Sequence, residues 1–180
     1  MAGMDAMPPP PAEHDTTDWT FVVDDGCAEC GYTPHDPVLT SERLQATVPR
    51  WASVLERPGV RERPSPAVWS PLEYASHSRD LVRVLGERVT MMLAQQQGAP
   101  FADYDGEVEA VRQEFWAGDP QTVAGEIAAE TQRTVDVLGG VRGDAWERTG
   151  LRGDGQPFTV AQLSRYLLHD IEHHLHDVDG

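Results

Sequence analysis

Apolar residues recur at three- and four-residue steps in four stretches of the chain, each bounded by residues that start or stop a helix. The last is the most regular. Val160, Leu163, Leu167, Ile171 and Leu175 draw one stripe along the final twenty or so residues, with Thr159 where an N-cap belongs. A first helix begins near Thr40 or Ser41, carries Leu44, Val48, Trp51 and Leu55, and ends before Pro58-Gly59. Pro49 within it predicts a kink or a loose first half. The second opens at Ser70-Pro71-Leu72-Glu73, where a serine cap, a proline at the first helical position and a glutamate that completes a capping box agree. Its apolar side is Leu72, Ala75, Leu81, Val84, Leu85, Val89 and Leu93, and it runs to about Gln97-Gly98. Asp119-Pro120 repeats the start signal, and Val123, Ile127, Thr131, Val135 and Leu138 define the third helix up to Gly139-Gly140.

Four amphipathic helices predict an all-α fold, a four-helix bundle, over residues 38–180. Between the second and third, Phe101-Ala-Asp-Tyr-Asp-Gly reads as a loop over the bundle end, followed by a short helical piece from about Glu107 to Phe115. The polar, turn-rich link before the last helix is long enough to cross the bundle or to form a small hairpin at its rim. Residues 1–17, with Pro8-Pro9-Pro10-Pro11, read as an extended or disordered leader. Residues 18–37 read as an extended segment packing on the bundle, in which Trp19-Thr-Phe-Val-Val is β-like or extended and leads into Cys27-Ala-Glu-Cys30-Gly31-Tyr32.

The 180-residue chain is long enough to bury a full core without staples. Its 14 basic residues are all arginine and its net charge is −16, which argues against nucleic acid and anionic membranes as partners. A small-molecule site or a protein partner suits it better. No apolar run approaches the ~18 residues of a membrane span, and the amino terminus lacks the order of a secretion signal. The expected location is therefore the cytoplasm, where two cysteines stay reduced unless metal or catalysis uses them. Nothing in the sequence fixes the oligomeric state, and the fold admits a homodimer.

Two features carry candidate chemistry. His169 and His173, spaced i, i+4, share one face of the last helix about a turn apart, close enough to hold one divalent metal once a third ligand joins them. Solvated histidines near a helix C-terminus are the plainer explanation, and a partner decides between the two. The Cys27-x-x-Cys30-Gly turn has the shape of a zinc knuckle but offers two ligands where a structural site needs four. His14, His35 or a histidine of the last helix are the candidates to complete it. A redox pair and silent thiols remain the alternatives, although no strand-to-helix context follows for the redox one. Arg165 and Tyr166, four and three residues before His169, are candidate substrate contacts, and Asp170 and Glu172 candidate acceptors behind the histidines. His174 and His176 point away from the pair by roughly 100° and 60° and fall outside the primary site.

His77, in Trp69-Ser-Pro-Leu-Glu-Tyr-Ala-Ser-His77, sits near the start of the second helix. Together with Tyr166-Leu-Leu-His169-Asp-Ile-Glu-His173 and the four-helix pattern, it makes residues 38–178 resemble the DinB-like superfamily, whose members are four-helix bundles often holding a divalent metal on three histidines. The lead-in with Trp-Thr-Phe and Cys-x-x-Cys-Gly is similar to an actinobacterial branch of that group. The resemblance implies His77, His169 and His173 as metal ligands. It also implies a divalent cation, zinc before nickel, iron or manganese, with an open coordination position of the catalytic kind. The superfamily includes mycothiol-dependent maleylpyruvate isomerase and other low-molecular-weight thiol transferases. The function implied is transfer of a small thiol such as mycothiol to a small electrophile. The alternative is a non-catalytic metal-binding or stress-response bundle with a separate structural zinc at Cys27 and Cys30.

Overall fold

The helix starts that the sequence marks are made by the side chains expected. Ser70 accepts from the backbone N–H of Glu73, and Glu73 reaches back to the Ser70 N–H at 2.8 Å, closing the capping box. Thr159 and Gln162 do the same for the last helix. The computed structural model describes residues 9–12, 17–95, 97–102 and 104–180. Its α-helices in chain order are α1 (Val22–Asp25), α2 (Thr40–Leu55), α3 (Pro71–Ala94), α4 (Gly106–Arg112), α5 (Pro120–Leu138) and α6 (Val160–Asp177).

The four long helices form the bundle. α3 and α2 each pack against both α5 and α6, whereas α2 and α3, consecutive in the chain, touch far less. The stripe of α6 is buried along its whole length, and α2 continues through Pro49 without a break. On α5 the buried position is Thr134 rather than the half-buried Val135. Thr134 Oγ1 donates to the Val82 carbonyl at 2.8 Å, in a crossing of α3 and α5 close enough that a Cβ on Gly86 would lie 2.5 Å from that oxygen.

That contact yields a prediction whose sign is diagnostic. Gly→Ala in an open helix stabilises by about 1 kcal/mol. At Gly86 the methyl must displace Thr134, and overpacking of this kind costs ~1–3 kcal/mol. Gly86→Ala is therefore expected to lower the denaturation midpoint, and adding Thr134→Ala to return part of the loss. A midpoint that rises in the single variant would refute the close crossing.

The turn-rich link before α6 forms the hairpin at the rim. β1 (Ala99–Pro100), β2 (Thr149–Leu151) and β3 (Pro157–Thr159) make a small sheet in the order β1-β2-β3, with β2 antiparallel to β3 and parallel to β1. The short helical piece is α4 followed by a 3-10 turn at Phe115–Ala117, separated by Glu114 in the left-handed region. Among the described residues, no helix is long and apolar enough to cross a membrane.

The amino-terminal part differs from its expected local form. Trp19–Val23 is coiled, a 3-10 turn at Trp19–Phe21 running into α1, because the Asp18 carboxylate accepts from the Thr20 N–H. Adjacent Val22 and Val23 are both buried, which a strand with one face in solvent would not allow. This segment joins the main core cluster through Val22, Val23, Cys27 and Tyr32. Arg165 and Arg43 fasten it, donating to the carbonyls of His35 (2.7 Å) and Thr33 (3.1 Å). Of the leader, residues 9–12 have no regular structure, and the Pro10 carbonyl accepts from Arg63. Residues 1–8 and 13–16, His14 among them, lie outside the described residues.

Candidate metal centre and adjoining cleft

α6 presents His169 and His173 on one face, as their spacing requires, and α1 with the knuckle after it lies against that face. Gly26 has φ +78°, and a Cβ there would sit 2.6 Å from the Tyr32 carbonyl oxygen, which accepts the Cys27 N–H at 2.9 Å. Only glycine permits that closure. The loop turns the backbone N–H groups of Glu29 and Cys30 toward the Cys27 sulfur and that of Tyr32 toward the Cys30 sulfur.

Two chain segments thereby bring together four side chains that could hold a metal. One donor atom from each of Cys27, Cys30, His169 and His173 lies within 4.8 Å of all the others. Cys27 Sγ is 3.7 Å from His173 Nδ1. His169 is 1% exposed, its Nδ1 is 3.3 Å from Asp170 Oδ1, and its buried Nε2 has no hydrogen-bond partner. His173 Nε2 lies 3.6 Å from Asp177 Oδ1. Each imidazole is thus backed by a carboxylate, the arrangement that orients a metal-binding histidine. Trp19 covers both rings at centroid distances of 5.4 and 5.1 Å, and Tyr32 meets His169 edge-on at 5.3 Å.

The titration behaviour follows from these contacts. Burial pushes the Cys27 thiol up, but the backbone N–H groups and His169 outweigh it and hold the thiol below its ordinary value. Cys30 is pushed up to about 11 by burial, with Cys27 beside it adding to the effect. Burial opposes protonation of His169, yet Asp170 and Cys27 raise its pKa overall. His173 is lowered, chiefly by burial.

His77 stands across a cleft of about 760 Å³ whose walls also include His169, His173 and Tyr166. Among the described residues it is outside the four-ligand group. Its Nδ1 is 3.0 Å from the Tyr104 hydroxyl, and its ring packs against His174 at 5.1 Å and Trp69 at 5.2 Å. Burial and the neighbouring His174 hold its pKa well below the usual histidine value. Arg165 is not on the cleft wall, because its guanidinium is turned to the His35 carbonyl. The cationic residues there are Arg88 and Arg152, the latter paired with Asp154. Glu172 binds Arg43 rather than a histidine. His35 is engaged by Thr40 (2.9 Å) and Tyr32 (3.3 Å).

Sequence reasoning passed over His174 and Tyr104. His174 carried a signal, since it follows Ile171 by three residues and Leu167 by seven and so borders the buried stripe. Tyr104, in a loop, carried none.

A family model for the DinB superfamily matches residues 40–178. A similar solved structure is YfiT from Bacillus subtilis, described as a probable metal-dependent hydrolase with an unusual four-helix bundle topology. It aligns with a TM-score of 0.66 at 15% identity, covering 79% of this chain and 83% of that one, a likeness of fold. No curated protein matches the chain.

Proposed function

The chain belongs to the DinB superfamily, and on that footing we propose that it is a metal-dependent enzyme that joins a small thiol, of the mycothiol type, to a small electrophile in the cleft between α3 and α6. The observation that carries this reading is His169, which lines that cleft and whose buried Nε2 meets no hydrogen-bond geometry but stands in the cluster with the Cys27 sulfur. An unpaired polar atom in the interior is costly, and a bound cation offsets the cost. The imidazole and thiolate donors present suit zinc. Such a cation, held through His169 and His173, would fix the α6 wall of the cleft and set the local electrostatics there.

The chain's own residues provide the proton handling. His77 stays neutral at pH 7. With its Nδ1–H donating to the Tyr104 oxygen, Nε2 keeps a lone pair that accepts the thiol proton. The thiolate then forms a carbon–sulfur bond to the electrophile, and in an addition the proton on His77 passes to the adduct. Trp69 and the Tyr104 ring flank His77 and hold its ring at the cleft wall.

Water in place of the thiol is the second reading, favoured by the description of YfiT. The metal-loaded protein assayed on activated alkenes, epoxides and esters, with and without thiol, separates them. Thiol-dependent consumption is the expected result. Thiol-independent ester cleavage selects the hydrolase, and no consumption in either arm overturns the enzyme in favour of a metal-binding bundle.

A further inference from the structure

We propose that Cys27, Cys30, His169 and His173 form one closed, four-coordinate zinc-type site, in place of the three-histidine set, so that the amino-terminal segment supplies half of the metal's ligands. This rests on the reading that His169 and His173 of α6 bind metal, and extends it to the remaining ligands and to what the metal does.

The fit is geometric. Zn–S bonds of ~2.3 Å and Zn–N bonds of ~2.0–2.1 Å set sulfur and nitrogen about 3.6 Å apart along a tetrahedral edge. Cys27 Sγ and His173 Nδ1 are 3.7 Å apart. Two sulfurs and two imidazoles are a complete structural zinc set, and all four donors converge within 4.8 Å. His169 Nε2 has no other partner, and the opposite nitrogen of each imidazole faces a carboxylate, Asp170 or Asp177. The knuckle directs backbone N–H groups at both sulfurs, as thiolate ligands require. His77 has the opposite surroundings, with Nδ1 on a phenol and the ring against His174.

Two consequences follow. The cation fastens the segment carrying Trp19, which lines the cleft, to α6, so it shapes the roof of the cleft rather than presenting an open coordination position. His77 is left free of metal, as the proton acceptor of the cleft.

Reconstitution of the reduced full-length protein with cobalt(II) tests this without any substitution. One cobalt per chain is expected, with a thiolate-to-cobalt charge-transfer band in the near ultraviolet and the intense visible absorption of four-coordinate cobalt. His77→Ala should keep both. Cys27→Ser/Cys30→Ser should lose the charge-transfer band and bind at least about a hundredfold more weakly, beyond the ~10–100-fold of losing an outer-shell partner. Chelation should speed amide exchange across residues 17–35 before the rest of the bundle. A wild-type spectrum with no sulfur band, or metal lost in His77→Ala and kept in the cysteine variant, overturns the proposal. A protein with the sulfur band and no thiol-dependent turnover would sink the enzyme reading alone.

Discussion

Arg63→Ala is expected to destabilise the fold by about 3–5 kcal/mol, the range for stranding one member of a buried ion pair, against a total stability of ~5–15 kcal/mol. Glu73 is 1% exposed and Arg63's side chain 13% exposed, and the guanidinium meets both carboxylate oxygens. The same carboxylate accepts from the Ser70 N–H and hydroxyl at 2.8 and 2.7 Å, closing the first turn of α3. That turn lies one turn before His77, so its loss also loosens the cleft.

Burial alone would raise the Glu73 pKa, but Arg63 and Ser70 pull it below its ordinary 4.5. The unfolded chain therefore binds the proton first as pH falls. The contribution is fully present above about pH 4.5 and is lost as pH drops through the depressed native value. Glu73→Gln/Arg63→Met keeps the cap without either charge and should recover most of the loss, because an uncharged replacement avoids both desolvation costs. Urea midpoints measured from pH 7 down to about pH 2.5 check this. An Arg63→Ala variant within about 1 kcal/mol of wild type would mean the pair is solvated.

His77→Ala is expected to lower kcat/KM of the thiol reaction by about 10²- to 10⁴-fold, the usual share of a positioned proton acceptor, with the metal retained. Gly106→Ala offers a second variant that keeps the imidazole. A Cβ there would lie 2.5 Å from His77 Cε1 and 2.8 Å from Nδ1, so the ring must leave its Tyr104 contact. Its effect should fall on kcat more than on KM, since substrate contacts elsewhere are untouched. The depressed His77 pKa predicts no limb near pH 6.5 in the kcat/KM profile. A limb there that vanishes in His77→Ala would show the imidazole to be solvated and the assignment wrong. The same depression weakens folding below pH 6.5, where the unfolded histidine takes up a proton that the native ring refuses.

Local pattern along the chain was enough to specify the bundle. Helix starts and apolar stripes are local facts: Ser70 and Glu73, or Thr159 and Gln162, find each other within one turn whatever the rest of the chain does. It also determined that His169 and His173 share a face, because their spacing fixes it. The coiling of Trp19–Val23 was not read from the sequence, since β-branched and aromatic residues suit a strand, and the Asp18 cap overrides that preference together with burial of Val22 and Val23 against α6. Tertiary structure alone decided which residues face that histidine pair. Cys27 and His173 are 146 residues apart, and no periodicity relates them. The loop carrying Tyr104 and the crossing of α3 and α6 turned His77 toward His174, because the direction of a side chain across a helix interface depends on packing angles that pattern along one helix does not contain.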